Sequence, residues 1–367
     1  MPRARPLLHP LVGSRPVDLA RTLTRHGGVA FDRVGQVGLT ALCSLLNAPF
    51  AWAEAVRTRA AAAGPPGEPP IFIVGHWRSG TTLLHNLLSR DAQFCFPTIT
   101  DTLRPHTFYP SPFEFVSRAI LLHSLPAVRP MDGMLMREDL PQEDEFALAA
   151  MGAPSFFNCI YFPRRMAQTF AEEVLFEDLS PQALAAWRSC LRYYLGKLAR
   201  LMPGRRLLVK SPAHSARIHE LHRLFPGARF IHIHREPIDV LASTRKLYRL
   251  VLPLFALQPY EMASVEEHIS VAYARLLDAL HAGLGGVAPA DKVELGYADL
   301  VADPGGALSR IYGHFGLTGF EAAWPAMQRM LDEDRPQRGS TDAVDREFAR
   351  RQAERVGAYR RRLGYTT

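Results

Sequence analysis

The residues whose chemistry reads most directly lie in PPIFIVGHWRSGTTLLHNLLSR, Pro69 to Arg90. An apolar run ends at Gly75, a short loop HWRSG follows, and a helical pattern opens at Thr81. A loop of this form turns successive backbone N–H groups into one small volume at a helix start. Unpaired donors and the helix dipole then act together on a bound oxyanion. Thr81 and Thr82 add hydroxyl donors, and Arg78 adds a guanidinium able to grip two oxygens at once. Gly75 and Gly80 have the separation of the nucleotide triphosphatase loop GxxxxGK, but Thr81 stands where its lysine belongs. That lysine contacts the outer phosphates, so its loss points away from ATP or GTP hydrolysis. A cation has moved into the loop instead, as Arg78.

Strands and helices must hold such a loop. Ile71 to Gly75 suits a buried parallel strand, apolar on both faces, and RLLVK (Arg206 to Lys210), RFIHIH (Arg229 to His234) and KVEL (Lys292 to Leu295) repeat that composition. Helical patterns separate them. Ser180-Pro181 is an N-cap followed by proline at the first helical position, and Leu184, Trp187, Leu191, Tyr194, Leu195 and Leu198 then fall at helical spacing. Val265, Ile269, Ala272, Tyr273, Leu276, Leu277 and Leu280 form a second such stripe. The alternation predicts an α/β fold: a central parallel sheet flanked by helices, with a P-loop-like anion-binding loop. Residues 1–68 read as a helical N-terminal extension and linker, because AAAGPPGEPP (Ala61 to Pro70) breaks helices. Residues 69–367 read as the main domain. Its proline-rich stretch from Phe96 to Pro130 is expected to face the substrate.

Composition narrows the function. With 47 % apolar and 22 % charged residues over 367 positions, the chain can bury a substantial core and is not disordered. Four scattered cysteines without a CxxC pair speak against a zinc site or a disulfide framework and for a reducing compartment. The first residues carry prolines and charges where a secretory signal needs an unbroken apolar run, so a cytoplasmic location is expected. Val37 to Ala53 is apolar, yet short for a membrane span and interrupted by Asn47 and Pro49; it reads as a buried or interfacial helix, open to peripheral membrane contact. The net charge of +7 fits an anionic ligand, whereas no basic run interleaved with aromatics suggests nucleic acid. Only four of the 43 basic residues are lysines (Lys197, Lys210, Lys246 and Lys292), which singles each of them out.

From Pro69 to Leu317 the chain resembles the sulfotransferases that use 3′-phosphoadenosine 5′-phosphosulfate (PAPS), and most closely their bacterial branch acting on small-molecule or lipid alcohols. Arg78-Ser79-Gly80-Thr81-Thr82-Leu83 matches their 5′-phosphosulfate loop. FIHIHREPIDVLAS supplies their second element, an arginine ending a strand and a serine eight residues later: Arg235 and Ser243, for the 3′-phosphate. LVKSPAH (Leu208 to His214) and GYADL (Gly296 to Leu300) are further landmarks, the latter adding Tyr297 to the cofactor-binding set. Members of the cytosolic animal type carry lysine in the first loop and a later Arg-Lys-Gly element. Here Arg78 replaces the lysine, and RPQRGS (Arg335 to Ser340) offers Arg338 as a second 3′-phosphate contact. The resemblance implies PAPS as donor and no metal.

Sulfuryl transfer needs charge stabilised on the sulfonate and the departing phosphate, and a proton removed from the acceptor hydroxyl. Arg78 and the loop amides serve the first need. Lys210, closing an apolar strand before Ser211-Pro212, is the choice for the leaving phosphate; a strand-end lysine reaching solvent is the plain alternative. Tyrosine-protein sulfotransferases also carry arginine in the loop and place a glutamate shortly after its helix. Here FPTITDTLRPH offers only Asp101 and His106. LPQEDEFALAA offers Glu143, Asp144 and Glu145 at a helix start, where acids could equally complement the dipole. Glu143 and Glu145 are the candidate bases. His214, His219, His222, His232 and His234 cluster near two strand ends but lack a recognisable metal-ligand set. Two rival functions remain: a P-loop kinase of a small metabolite, and a non-catalytic nucleotide-binding module docked on a membrane. The oligomeric state is unreadable.

Overall fold

The structure is a computed structural model that describes residues 8–65, 67–110, 138, 140–333 and 343–365. Its centre is β1 (Ile71–Val74), four apolar residues buried on both faces. Ile71 and Ile73 point into one core with Leu84, Leu87, Ile231 and Leu295, while Phe72 and Val74 point into the other with Val209, Phe230 and Leu252. This alternation is the period of two expected of a strand with helices above and below. Around β1 lie β2 (Phe94–Cys95), β3 (Arg206–Lys210), β4 (Arg229–His234) and β5 (Lys292–Gly296), in the order β2-β3-β1-β4-β5. Every pairing is parallel, with Ile73 opposite Lys210 and Ile231, and Ile233 opposite Leu295. The α/β fold and its four longer strands are as expected from the sequence. β2 was not expected, since two residues are too few to show a period.

Parallel strands place all their carboxyl ends at one edge, so the segments after Val74, Lys210, His234 and Gly296 converge there. The chain leaves β1 toward β2 at one side of the sheet and leaves β4 toward β5 at the other. Connections diverging from adjacent strands open a crevice between them, the usual ligand position in such sheets.

The N-terminal segment is fastened to this body by polar contacts. Its helix Val34–Arg57 turns Thr40, Ser44, Ala51 and Glu54 inward. Ser44 Oγ donates to the Ser14 carbonyl at 2.6 Å, and Thr58 Oγ1 lies 2.6 Å from the Tyr193 hydroxyl. Glu54 pairs with buried Lys197 of the helix Pro181–Leu201, and Lys197 Nζ also donates to the Pro105 carbonyl at 2.7 Å. His9 Nε2 donates to the Phe255 carbonyl at 3.0 Å while Nδ1 accepts from Leu11 N–H at 3.2 Å. The apolar run first delimited as Val37 to Ala53 is therefore part of a 24-residue helix, longer than its composition suggested, because neither Asn47 nor Pro49 ends it.

Candidate active site

The loop after β1 is held in a shape that its glycines permit. Gly75 has φ 143°, and a side chain there would strike the Ile233 carbonyl of β4. Gly80 has φ 100° and lies against the Tyr297 ring, leaving no room for a Cβ. Arg78 adopts φ 71°, a left-handed conformation that a non-glycine residue holds only where the surroundings enforce it. They do so through four contacts. Ser79 Oγ lies 2.8 Å from the His76 carbonyl and 3.0 Å from that of Ile233. Ser215 Oγ accepts from Gly75 N–H at 2.8 Å and lies 3.1 Å from the Gly75 carbonyl.

The helix Thr81–Leu88 that follows has no side-chain cap at Gly80. Its first backbone bond runs from Leu84 N–H to the Gly80 carbonyl, so the N–H groups of Thr81, Thr82 and Leu83 have no intrahelical acceptor. These features fit a phosphosulfate or other oxyanion: donors without intrahelical acceptors, a cradle that a Cβ would fill, and a guanidinium at its lip. Thr81 and Leu83 are buried, and Leu83 packs its side chain into the core, so its contribution is its backbone.

Arg78 also joins the two elements read from the sequence. Its Nε donates to Ser243 Oγ at 2.9 Å, across the crevice between β1 and β4. Ser243 lies on the helix Pro237–Phe255, which opens at a proline. Arg235, half-exposed at the end of β4, stacks over the Tyr297 ring at 5.0 Å and donates to Asp239 at 3.1 Å. Tyr297 thus separates the loop glycine from the Arg235 guanidinium. Arg338 lies outside the described residues, as does most of the stretch from Phe96 to Pro130.

The motif LVKSPAH distributes its side chains among three tasks. Ser211 Oγ accepts from Ala213 N–H and caps the turn Pro212–Ala216. Lys210 is buried; its Nζ donates to Glu143 Oε1 at 2.7 Å and reaches Thr82 Oγ1 at 3.4 Å. The solvent-reaching alternative for Lys210 is thereby overturned, since the side chain is buried between Glu143 and Thr82. His214 meets Asp144 at 2.8 Å, both fully buried. Arg217, a little further on, meets Glu145 at 2.5 Å, also fully buried.

Three consecutive acids therefore face Lys210, His214 and Arg217 in matching order. Glu143 is drawn to Lys210 beside the loop. Glu145 is turned into the interior, where it also accepts from Phe156 N–H at 2.7 Å. The helix it opens, Glu145–Ala150, starts where the acidic run was expected to place it. Glu145 meets no reacting group there, and its partner is structural. The segment carrying Glu143 is pinned by an antiparallel bridge between Thr98 and Pro141 and by Gln142 N–H to the Pro97 carbonyl at 2.8 Å.

The other candidate bases are engaged elsewhere. Asp101 forms a capping box with Thr98, and burial raises its carboxyl above the ordinary value despite those bonds. His106 lies 3.4 Å from Asp18, and burial lowers its imidazole below the usual range. His232 binds Glu294 at 3.0 Å, which holds that carboxyl down at about 2. His85, on the loop helix, is held neutral by burial and then by the charge of Lys210, and donates Nε2–H to the Leu208 carbonyl at 3.3 Å. Ser215 and Arg217 were missed in the sequence, and Asp144 was named without its partner, because no local signal links residues so far apart along the chain.

A parallel sheet with an uncapped anion loop and a buried lysine at its lip defines a phosphate-loop group-transfer protein. The profile of the sulfotransferase family matches residues 69–322, and the chain belongs to that family. It is 36 % identical over 282 residues to the omega-hydroxy-beta-dihydromenaquinone-9 sulfotransferase Stf3 of Mycobacterium bovis and to that of Mycobacterium tuberculosis. Those alignments cover 76 % of this chain and 71 % of each relative. The fold is shared with sulfotransferase STF1 of M. tuberculosis (TM-score 0.70, 19 % identity, 93 % of this chain and 90 % of that one). It is also shared with STF9 of Mycobacterium avium (TM-score 0.65, 19 % identity, 96 % and 97 %).

Proposed function

We propose that this sulfotransferase transfers a sulfonate from PAPS to the hydroxyl of a lipid alcohol, with an ω-hydroxylated isoprenoid quinone as the first acceptor to try. The observation that carries the chemistry is the buried Lys210–Glu143 pair beside Thr82 at the loop's helix start. The acceptor class is supported by the relatives at 36 % identity, which are omega-hydroxy-beta-dihydromenaquinone-9 sulfotransferases. When bound, PAPS supplies a sulfonate on a phosphate leaving group. The residues suited to hold it are Arg78, Ser79, Gly80, Thr81, Thr82 and Leu83 at the phosphosulfate, and Arg235, Ser243 and Tyr297 toward the 3′-phosphate. Arg338 is kept as a further 3′-phosphate contact on the resemblance alone.

In this reading Lys210 stabilises negative charge on the departing phosphate, and Glu143 accepts the acceptor's proton. An anion in the loop competes with Glu143 for Lys210, which frees the carboxylate for the hydroxyl. The acceptor oxygen bonds to sulfur as the bond from sulfur to the phosphate oxygen breaks, and adenosine 3′,5′-bisphosphate leaves. Four free thiols support a reducing, cytoplasmic setting.

The test incubates the enzyme with labelled PAPS and a hydroxylated isoprenoid quinone, seeking a lipid heavier by one sulfonate. Calorimetry tests the donor site separately. Adenosine 3′,5′-bisphosphate is expected to bind more tightly than 5′-AMP, and Arg235→Ala to remove roughly tenfold or more of that preference. Equal binding of the two nucleotides by the native enzyme would sink the donor assignment. Sulfonation of short water-soluble alcohols in place of the quinone would sink the acceptor assignment.

A further inference from the structure

The helix Val34–Arg57 is packed inside out. Its polar residues Thr40, Ser44 and Glu54 are buried, while Leu45, Leu46 and Trp52 are 60 %, 64 % and 73 % exposed. At 100° per residue, Leu42, Leu45, Leu46, Trp52 and Val56 fall on one side of the helix, opposite the buried set. Phe31, at the start of the same segment, is almost wholly exposed. From Val34 to Val56 the outward face runs about 33 Å along the axis. It carries no charge, since Glu54 faces inward. An apolar stripe of that extent on a protein surface marks something that covers it.

We propose that this face lies on an anionic lipid bilayer, parallel to its plane, and anchors the enzyme where a lipid alcohol resides. Charge and anchorage both favour that occupant. Between residues 8 and 65 the exposed charges are Arg15, Arg21, Arg25, Arg57 and Arg59 against the single acid Asp32. A basic excess beside an apolar helix face is the combination that binds anionic lipid surfaces. The stretch Phe31–Arg57 is long and apolar enough to cross a bilayer. Crossing would pull Glu54 from Lys197, Ser44 from the Ser14 carbonyl and Thr58 from Tyr193, leaving buried polar groups unpaired. The helix therefore lies on the membrane and does not span it. The same contacts couple it to the site's surroundings: Glu54 accepts from Tyr109 N–H at 2.9 Å, Lys197 holds Pro105, and Arg57 donates to the Pro110 carbonyl at 3.1 Å. The chain thus connects the bilayer-facing helix to the segment entering the stretch expected to face the substrate.

Vesicle flotation tests this with full-length protein and neither donor nor acceptor, so its outcome is independent of the proposed reaction. The probes are vesicles of phosphatidylcholine alone and of phosphatidylcholine with about a third phosphatidylglycerol. The protein is expected to float with the anionic vesicles and to be partly released by high salt. Leu42→Gln, Leu46→Gln and Trp52→Gln together should lower partitioning on the order of 100-fold while the thermal melt stays unchanged. Trp52→Phe alone should remove the vesicle-induced shift in tryptophan emission without abolishing flotation. Failure to float at either composition would overturn the proposal, as would flotation of the triple variant at the native level. A native dimer in solution that the triple variant converts to monomer would also overturn it, by making a second copy the occupant.

Discussion

The crevice between β1 and β4 and the outer face of the Val34–Arg57 helix break the rule of apolar inside and polar outside in opposite senses. Beside the loop, the buried charges have partners, Lys210 with Glu143 and Arg217 with Glu145, and buried His214 sits against Asp144 between them. On the helix, Leu45, Leu46 and Trp52 are largely exposed. Burying an ion pair costs desolvation that mutual attraction only roughly returns, so such pairs are weak stabilisers while intact and severe liabilities when halved. An exposed leucine is nearly neutral for folding, because it has nothing to lose. The two regions therefore predict different responses to substitutions that look alike in chemistry.

The largest effect is expected deepest in the paired row. Glu145→Ala leaves the Arg217 guanidinium buried against Trp187 and Phe176 with only the Glu173 and Val174 carbonyls as acceptors. Stability should fall by about 3–5 kcal/mol, read as a lower urea midpoint. A small change would mean that Arg217 finds water, and the row would not be the liability described. Next is Lys210→Ala, at the end of β3 beside the loop. It should lower turnover on the order of 10² to 10³, with a much smaller change in affinity for adenosine 3′,5′-bisphosphate. Lys210→Arg should recover part of the rate, since charge survives while geometry changes. Normal turnover in Lys210→Ala would reduce the Lys210–Glu143 pair to the structural standing of its neighbours.

A third prediction compares the regions through pH. Burial pushes His76 in the loop and His9 in the N-terminal segment down to about 4, from an ordinary value of 6.5. Between those values the unfolded chain binds protons that the folded chain refuses. Stability is therefore fully present above pH 6.5 and is lost as the pH falls toward 4, by roughly 2–3 kcal/mol for each group. His9 has no spare nitrogen, because Nδ1 already accepts from Leu11 N–H. His9→Gln should flatten the pH dependence of the urea midpoint between 7 and 5. An unchanged slope would remove His9 from the acid response.

What the sequence disclosed follows the same division. Four strands, the loop and the helix starts at Thr81, Pro181 and Pro237 were legible, because apolar periodicity and turn residues are local properties. Arg78, Ser243 and Lys210 were legible as chemistry, since residue type and place on a strand end suffice to name an anion site. Partnership was not. Glu143 and Glu145 look equivalent in sequence, and only the path of the chain after β3 turns one to the loop and the other to Arg217. For the N-terminal helix, read as buried or interfacial, the side turned outward was equally hidden. Apolar content predicts burial by default, and it takes the inward pull of Glu54 on Lys197 to rotate Leu45 and Leu46 outward.

The smallest expected effect is the sharpest test of that contrast. Leu45→Gln removes an apolar side chain from a helix without taking it from any core, since Leu45 is largely exposed. Leucine and glutamine have similar helix propensities, so the backbone gains or loses a few tenths of a kcal/mol at most. The urea midpoint should stay within about 0.5 kcal/mol of the native protein. A buried leucine such as Leu84, on the helix after the loop, should instead lose several kcal/mol when replaced by alanine, about 2–5 on the usual scale. Solubility at high protein concentration should move the other way, rising with Leu45→Gln because the apolar stripe is interrupted. If Leu45→Gln destabilised the monomer as a core substitution does, the helix would be packed against protein in solution, and the opposition between paired interior and bare outer face would fail.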